Sequence, residues 1–211
     1  MEEPEEVDAY AASSAGRYLA RLDARAARRA AALSPASGWG IDVGCGPAAI
    51  PARLATLRTG LTLVGVDLSL PMLCRARAHA RELGLCQRLY FVLASADALP
   101  FHGNCFGLVM SNSLLHHLSR PERVVAEMGR VAAGGAAFFV RDLHRPPGPL
   151  LLVHLAIFGR HYQGTMRRLF EASVRAAYTR REARLLLAAL AGIRVRRRGG
   201  AHLEAVRRAG L

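Results

Sequence analysis

Apolar runs and polar punctuation alternate along this chain in the rhythm of strand, turn and helix. Short apolar runs lie near 39–43, 61–67, 89–93, 106–111 and 136–141, too short for helices and bounded by glycine, acid or asparagine. Between them, near 48–58, 71–83 and 121–131, apolar residues recur at helical spacing. Pro51 falls in the first turn of the first of these, where its missing N–H costs little. The alternation predicts an α/β fold, a mostly parallel sheet with helices on both faces. Ahead of it, Val7 to Leu33 reads as helix, rich in alanine and arginine with no internal proline. Ser34-Pro35-Ala36-Ser37-Gly38 is the linker into the first strand. Behind the core, 148–178 carries apolar and aromatic residues at mixed spacing. A helix near 180–191 and strands near 193–197 and 202–207 follow. The chain thus divides into 1–37, 38–147, 148–178 and 179–211, segments of one domain.

The strand ends carry the chemistry. Gly40-Ile41-Asp42-Val43-Gly44-Cys45-Gly46-Pro47-Ala48 runs from a strand through a glycine turn into a helix, and Val64-Gly65-Val66-Asp67 ends the next strand on an acid 21 residues after Gly46. That spacing suits an adenosine-containing ligand. The glycines admit close backbone approach, the helix start offers N–H groups to an anion, and Asp67 takes ribose hydroxyls. A glycine turn alone is weak evidence, since many βα units have one for packing. Further polar ends add to it: Ala96-Asp97-Ala98-Leu99-Pro100-Phe101, then Ser111-Asn112 leading into Ser113-Leu114-Leu115-His116-His117-Leu118.

With these four blocks in view, Gly38 to Pro147 resembles the class I S-adenosylmethionine-dependent methyltransferases, and within them the small set (methyltransferase type 11) that includes ubiquinone and menaquinone biosynthesis enzymes. The resemblance implies a doubly wound, mostly parallel, seven-stranded Rossmann-like sheet. It implies S-adenosylmethionine as cofactor and S-adenosylhomocysteine as product. By position it assigns the cofactor to Asp42, Gly44, Cys45, Gly46, Asp67, Leu68, Met72, Ala96, Asp97, Ala98, Asn112 and Ser113. Asp42 would organise the turn and approach the methionine ammonium, or else cap loop N–H groups. Leu68 and Met72 would pad adenine and ribose. Asp97 would accept the adenine amino group, or serve only as a turn residue. Asn112 and Ser113 would lie beneath the methionine moiety, or cap a helix. The segment 148–178 would cover the substrate pocket, or form an ordinary helix pair.

Two departures stand out. Ala48 occupies the place of a third glycine and would crowd the ligand side; Gly107 replaces a usual acid at the far end of the fourth strand. Methyl transfer from a sulfonium needs alignment more than a fixed triad, and a base only if the acceptor must lose a proton. His116 and His117 are the base candidates, at most one of them facing the pocket, with a structural role the competing reading. Tyr10 and Tyr18 either close over the cofactor or pack, and Arg141 and Asp142 either contact substrate or form a buried ion pair.

Composition narrows the partners. Residues 1–140 hold 14 Arg against 12 acids, whereas 141–211 hold 15 Arg against 4, and the chain has no lysine. A GC-rich genome suffices for that bias, yet a basic C-terminal third also suits RNA or an anionic membrane surface. A nucleic-acid methyltransferase is therefore one alternative to a small-molecule enzyme, and a non-catalytic cofactor binder, suggested by Ala48, is another. Ser111-Asn112-Ser113-Leu114 stands where amino-directed nucleic-acid methylases tend to carry an Asn-Pro-Pro-Tyr-like tetrad. A dehydrogenase would leave Asp97 without a task. Cys45, Cys74, Cys86 and Cys105 show no metal or disulfide spacing and suit a reducing cytoplasm, so no metal is expected. The acidic start, Met1 to Glu6, is no secretory signal, and the longest apolar run, 149–158, is roughly half a membrane span, so no stable membrane insertion is expected.

Overall fold

In the computed structural model, which describes residues 17–210, seven strands form one sheet. The elements in chain order are α1 (Arg17–Leu33), β1 (Ser37–Val43), α2 (Ala49–Leu57), β2 (Gly60–Asp67), α3 (Leu70–Glu82), β3 (Leu89–Leu93) and β4 (Phe106–Asn112). Then follow a 3-10 turn (Leu115–His117), α4 (Pro121–Val131), β5 (Ala132–Leu143), α5 (Leu150–Gly159), α6 (Gly164–Ala176), α7 (Arg180–Leu186), a second 3-10 turn (Leu187–Ala189), β6 (Arg194–Arg198) and β7 (His202–Arg207). The strand order is β3-β2-β1-β4-β5-β7-β6. The first five are parallel, β7 runs antiparallel to β5, and β6 antiparallel to β7.

Both sheet faces are buried, as a parallel core requires. One face holds Ile41, Val43, Val66, Val109, Phe138 and Val140 under α4 and α7, with Met128 and Leu187 among the contacts. The other holds Leu61, Leu63, Leu108, Met110 and Phe139 under α1 and α2, whose Ala27, Ala30 and Leu54 are fully buried. The alanines of α1 thus let the helix lie close to the sheet. A third, small cluster of Leu155, Phe170 and Val174 joins α5 to α6. The segment 148–178 is that helix pair.

Boundaries moved where long-range pairing overrode local pattern. β5 begins at Ala132 because Ala132 pairs with Phe106 across a register shift. The helix read over 180–191 breaks into α7 and a 3-10 turn. The N-terminal part of the helix read from Val7, through 16, lies outside the described residues. Gly107 sits at the amino end of β4 against Pro35 and the Trp39 carbonyl, remote from the opposite, polar edge. No described helix is long and apolar enough to cross a membrane.

Arginine does much of the loop work. Arg58 donates from Nε and Nη2 to the Ala31 carbonyl near the C-terminus of α1, at 2.9 and 2.6 Å. Arg88 does the same for Ala55 in α2 at 2.8 Å, and Arg207 ties Ala136 and Ala191 while its guanidinium lies 4.8 Å from the Phe138 ring centre. A planar fork next to the negative end of a helix dipole is well used here. Arg58→Ala should cost about 1–2 kcal/mol of unfolding free energy in denaturant titration, and Arg58→Lys less, because the charge remains but the fork is lost.

Candidate active site

Strand order reverses between β1 and β4, and at the carboxyl edge there a cleft of about 770 Å³ opens. Clefts of α/β sheets form at this place because the flanking crossovers leave on opposite faces. Asp42, Gly44, Cys45 and Gly46 line it from the end of β1, Asp67 and Leu68 from β2, and Met72 from α3. Ala96 and Asp97 line it from the loop after β3, Asn112 and Ser113 from β4, and His117 from the 3-10 turn.

Asp67 fixes the shape. Its Oδ2 accepts the Gly46 N–H at 2.8 Å and its Oδ1 accepts the Ser69 N–H at 2.9 Å, so one carboxylate holds the loops after β1 and β2 together. The Gly44 and Cys45 N–H groups donate to the Val66 carbonyl at 2.8 and 3.0 Å, and the Ala48 N–H to the Cys45 carbonyl. These loop donors are therefore spent inside the protein; the donors expected to meet an anion are those of the helix start, where Ala49 and Ile50 line the cleft. Ser69 caps α3 by accepting the Met72 N–H. A carboxylate offers about four acceptor positions, so Asp67 keeps capacity for a ligand after its two backbone bonds.

Asp42 has a different character. It is buried, and its Oδ1 has no hydrogen-bond partner among the described residues. Burial, reinforced by the nearby Asp67 charge, holds its carboxyl well above the usual carboxylate range. The loop-organising role belongs to Asp67; Asp42 presents unsatisfied acceptor capacity to the cleft. Asn112 Oδ1 is likewise buried without a partner. Neither Asn112 nor Ser113 caps the 3-10 turn, whose N-cap is Leu114 without a side-chain bond. Ser113 is instead held at φ 55°, with its N–H donating to the Arg141 carbonyl. Cys45 is buried and its thiol pushed well up by burial and by Asp42 and Asp67, which makes it a packing residue, not a nucleophile.

Asp97 is bonded by the Ser95 hydroxyl. Its loop is clamped from α4: Glu127 accepts the Leu99 N–H at 2.7 Å, and Arg130 donates to the Leu99 and Phe101 carbonyls at 3.0 and 2.8 Å. Ala98 does not line the cleft; its N–H closes a turn onto the Ser95 carbonyl. Ala48 adopts φ 62°, ψ 28° and is fully buried. Its methyl points into the protein, so the expected crowding of the ligand side is replaced by left-handed backbone strain.

The histidine pair divides. His116 is buried with Nδ1 against Asp142 Oδ1, and its N–H donates to Asp142 Oδ2 at 3.3 Å. His117 faces the cleft, its ring 4.0 Å from that of His116. His117 is exposed at the cleft yet partly desolvated by the cleft wall, and that desolvation, then the neighbouring His116, push it down to about 4. Arg141 and Asp142, adjacent on β5, point to opposite faces. Asp142 is taken up by His116, while Arg141 donates to the Leu22 carbonyl at 3.2 Å and lies 3.2 Å from His202 Nε2. The ion pair between neighbours does not form, and neither residue lines the cleft. Nor does Tyr18, which stacks on His161 at 4.1 Å and meets Tyr162 edge-on. Tyr10 lies outside the described residues.

Sequence reasoning missed Asp23, which lines the cleft from α1 and whose carboxyl is raised by burial, partly offset by Arg141 and Arg53. The signal was present: Asp23 is the one acid in the 17 residues of α1. It also missed Arg120, the one arginine among the described lining residues.

The low His117 value carries a sign. Folded His117 takes its proton near 4, whereas an unfolded histidine does so near 6.5, so the unfolded chain binds more protons in between. Stability from this group is therefore lost as pH falls from about 6.5 towards 4. The melting temperature of His117→Asn should fall less steeply than that of the parent across that window. Parallel pH profiles would remove the assignment.

The comparisons agree with this geometry. Residues 41–140 match a family described as a methyltransferase domain. A phosphatidylethanolamine N-methyltransferase from Cereibacter sphaeroides is 34% identical over 131 residues, 62% of this chain and 63% of that protein. A ubiquinone biosynthesis O-methyltransferase from Methylococcus capsulatus is 36% identical over 124 residues, 58% of this chain and 49% of that protein. The chain thus spans less than two thirds of the length of either relative. A crystal structure described as a SAM-dependent methyltransferase from Aquifex aeolicus superposes with a TM-score of 0.71 at 18% identity, covering 98% of each chain, which shows a shared fold. Residues 41–140 thus match the methyltransferase-domain family, and the fold is shared with an S-adenosylmethionine-dependent methyltransferase.

Proposed function

We propose that this chain transfers a methyl group from S-adenosylmethionine to oxygen, carbon or nitrogen of a small-molecule acceptor. The observation that carries the reading is the pair of unsatisfied buried oxygens, Asp42 Oδ1 and Asn112 Oδ1, in one cleft with Asp67. An ammonium supplies the donors those oxygens lack, a ribose diol suits the remaining capacity of Asp67, and Leu68 and Met72 offer apolar surface for a base. The Gly46 N–H that a pyrophosphate would seek is already held by Asp67. When bound, S-adenosylmethionine supplies a methyl group activated by its sulfonium. The protein's share is alignment, desolvation and the electrostatics of the cleft wall.

His117 is the side chain best placed to meet the acceptor. Held neutral at physiological pH, its ring can accept a hydrogen bond, but a nitrogen that binds protons only near 4 is a weak base for an alcohol or phenol. Its role is therefore positioning, and His116, braced by Asp142, supports it from behind. The relatives' acceptors, a phospholipid amine and a quinone precursor by their names, are consistent with a small acceptor having an apolar body. For RNA the surface is less favourable. On β6, Arg198 is paired with Glu204 at 3.3 Å. The buried methyl of Ala48 removes the ground for a non-catalytic reading.

Calorimetry should show binding of S-adenosylmethionine and S-adenosylhomocysteine and none of NAD. Asp67→Ala should lose about tenfold to a hundredfold in affinity, the equivalent of roughly 1.5–3 kcal/mol of charge-assisted bonds. Asp42→Asn should also weaken binding, yet raise the melting temperature of the free protein at neutral pH. A carboxyl held above its ordinary range costs stability as pH rises from that ordinary range towards its folded value, and the full cost remains above it. Unchanged affinity in both variants would sink the site assignment.

In turnover assays His117→Asn should reduce kcat by less than about 100-fold without moving the acid limb of the pH profile, as a positioning group would. A larger loss with a vanished acid limb would make it the base.

A further inference from the structure

Helix α5 is inverted relative to its surroundings. Its one polar side chain, His154, is 6% exposed with Nε2 unpartnered, while Leu150, Leu152, Val153 and Ile157 are 56%, 69%, 53% and 46% exposed. Positions 150, 153 and 157, with 152 and 156 beside them, fall on one side of a helix, so the four large aliphatics form a continuous outward stripe. A helix apolar on every side is normally covered on every side. The inner side is accounted for: Leu155 packs with Phe170 and Val174 of α6, and a Cβ at Gly200 in the β6–β7 turn would lie 3.0 Å from Phe158.

Charge identifies what covers the outer side. Arg160, exposed, continues the stripe about one turn beyond Ile157. Arg167 of α6 reaches to 3.9 Å from where a Cβ would stand on Gly159, at the end of α5. Arg197 of β6 acts electrostatically on His154 from the hairpin that abuts Phe158. Arg160 and Arg197 thus border an apolar stripe, with Arg167 beside them in an ion pair with Glu171 at 3.1 Å, in a segment, 141–211, with 15 Arg against 4 acids. An apolar helix face rimmed by cations matches the boundary between acyl chains and anionic headgroups. A second copy of the chain fits less well. A ten-residue helix is about 15 Å long and presents far less than the roughly 800 Å² per partner of a stable dimer, and a two-fold axis would set like charges against each other. RNA would use the arginines but leave the leucines wet.

We infer that α5 is a peripheral docking surface for an anionic lipid membrane, with Leu150, Leu152, Val153 and Ile157 entering the headgroup boundary and Arg160 and Arg197 meeting lipid phosphates. α6 also touches the 3-10 turn that carries His117, so docking sets the wall of the cleft close to the membrane. The inference is independent of which acceptor is methylated.

Co-sedimentation of the full chain with phosphatidylglycerol vesicles and with phosphatidylcholine vesicles tests it. Expected is binding to the anionic vesicles that weakens as salt rises, with little binding to the neutral ones. The double variant Leu152→Glu, Ile157→Glu should lose about tenfold or more of that binding while its melting temperature holds, because both side chains are exposed. Arg160→Glu should weaken binding and blunt its salt dependence. The inference is overturned by absence of vesicle binding or by a double variant that binds as well as the parent. It is equally overturned if the parent self-associates on sizing and the double variant is monomeric with no vesicle binding in either. Displacement of vesicles by a single-stranded RNA that binds the double variant undiminished would assign the surface to nucleic acid.

Discussion

The site rests on one carboxylate. Asp67 closes β2, and its two oxygens reach backbone N–H groups on both sides of the cleft floor, Gly46 and Ser69. Without it the loop after β1 would have to satisfy the Gly46 donor elsewhere, and the start of α3 would lose its tie to the strand. Gly44 is then pinned between that anchored loop and Leu114, whose methyls would stand 2.8 and 2.9 Å from any added Cβ. The same residue that a ligand diol would meet is therefore already a structural brace. Binding and loop geometry cannot be varied independently at this position.

Against that brace stands a deliberate instability. Asp42 is buried with an oxygen that no described residue satisfies, and Asp67 repels it. Folding tolerates such a group because the surrounding sheet is packed on both faces by aliphatic side chains. Charged groups buried without partners are costly, and cluster where a ligand supplies the missing partner.

The α/β core was legible because its signals are local. Strand and helix periods, the Gly44–Gly46 turn, Asp67 after an apolar strand and the Asp97 loop each declare themselves within a few residues. The two antiparallel strands at the C-terminus were legible for the same reason. What escaped depends on residues far apart in sequence. The His116–Asp142 contact spans 26 residues, Arg141 to Leu22 spans 119, and Asp23 reaches the cleft only because α1 folds back over α2. Adjacent Arg141 and Asp142 invited pairing in sequence, but the strand's period sends them to opposite faces. Arg58, Arg88, Arg130 and Arg207, to which the sequence assigned no individual role, terminate loops and helix ends by gripping carbonyls. The polarity of α5 was illegible because its sequence is apolar all round, and only packing selects the inward side.

Ala48 sits in the left-handed region with its methyl fully buried. Glycine there would roam more of backbone space whenever the loop loosened. An alanine has fewer places to go, so the loop's excursions away from this shape are penalised in conformational freedom as well as in lost contacts. A ligand entering such a loop has less wandering to suppress, and more of its contact energy survives as affinity. The strain at this residue is in effect rigidity set in advance of binding.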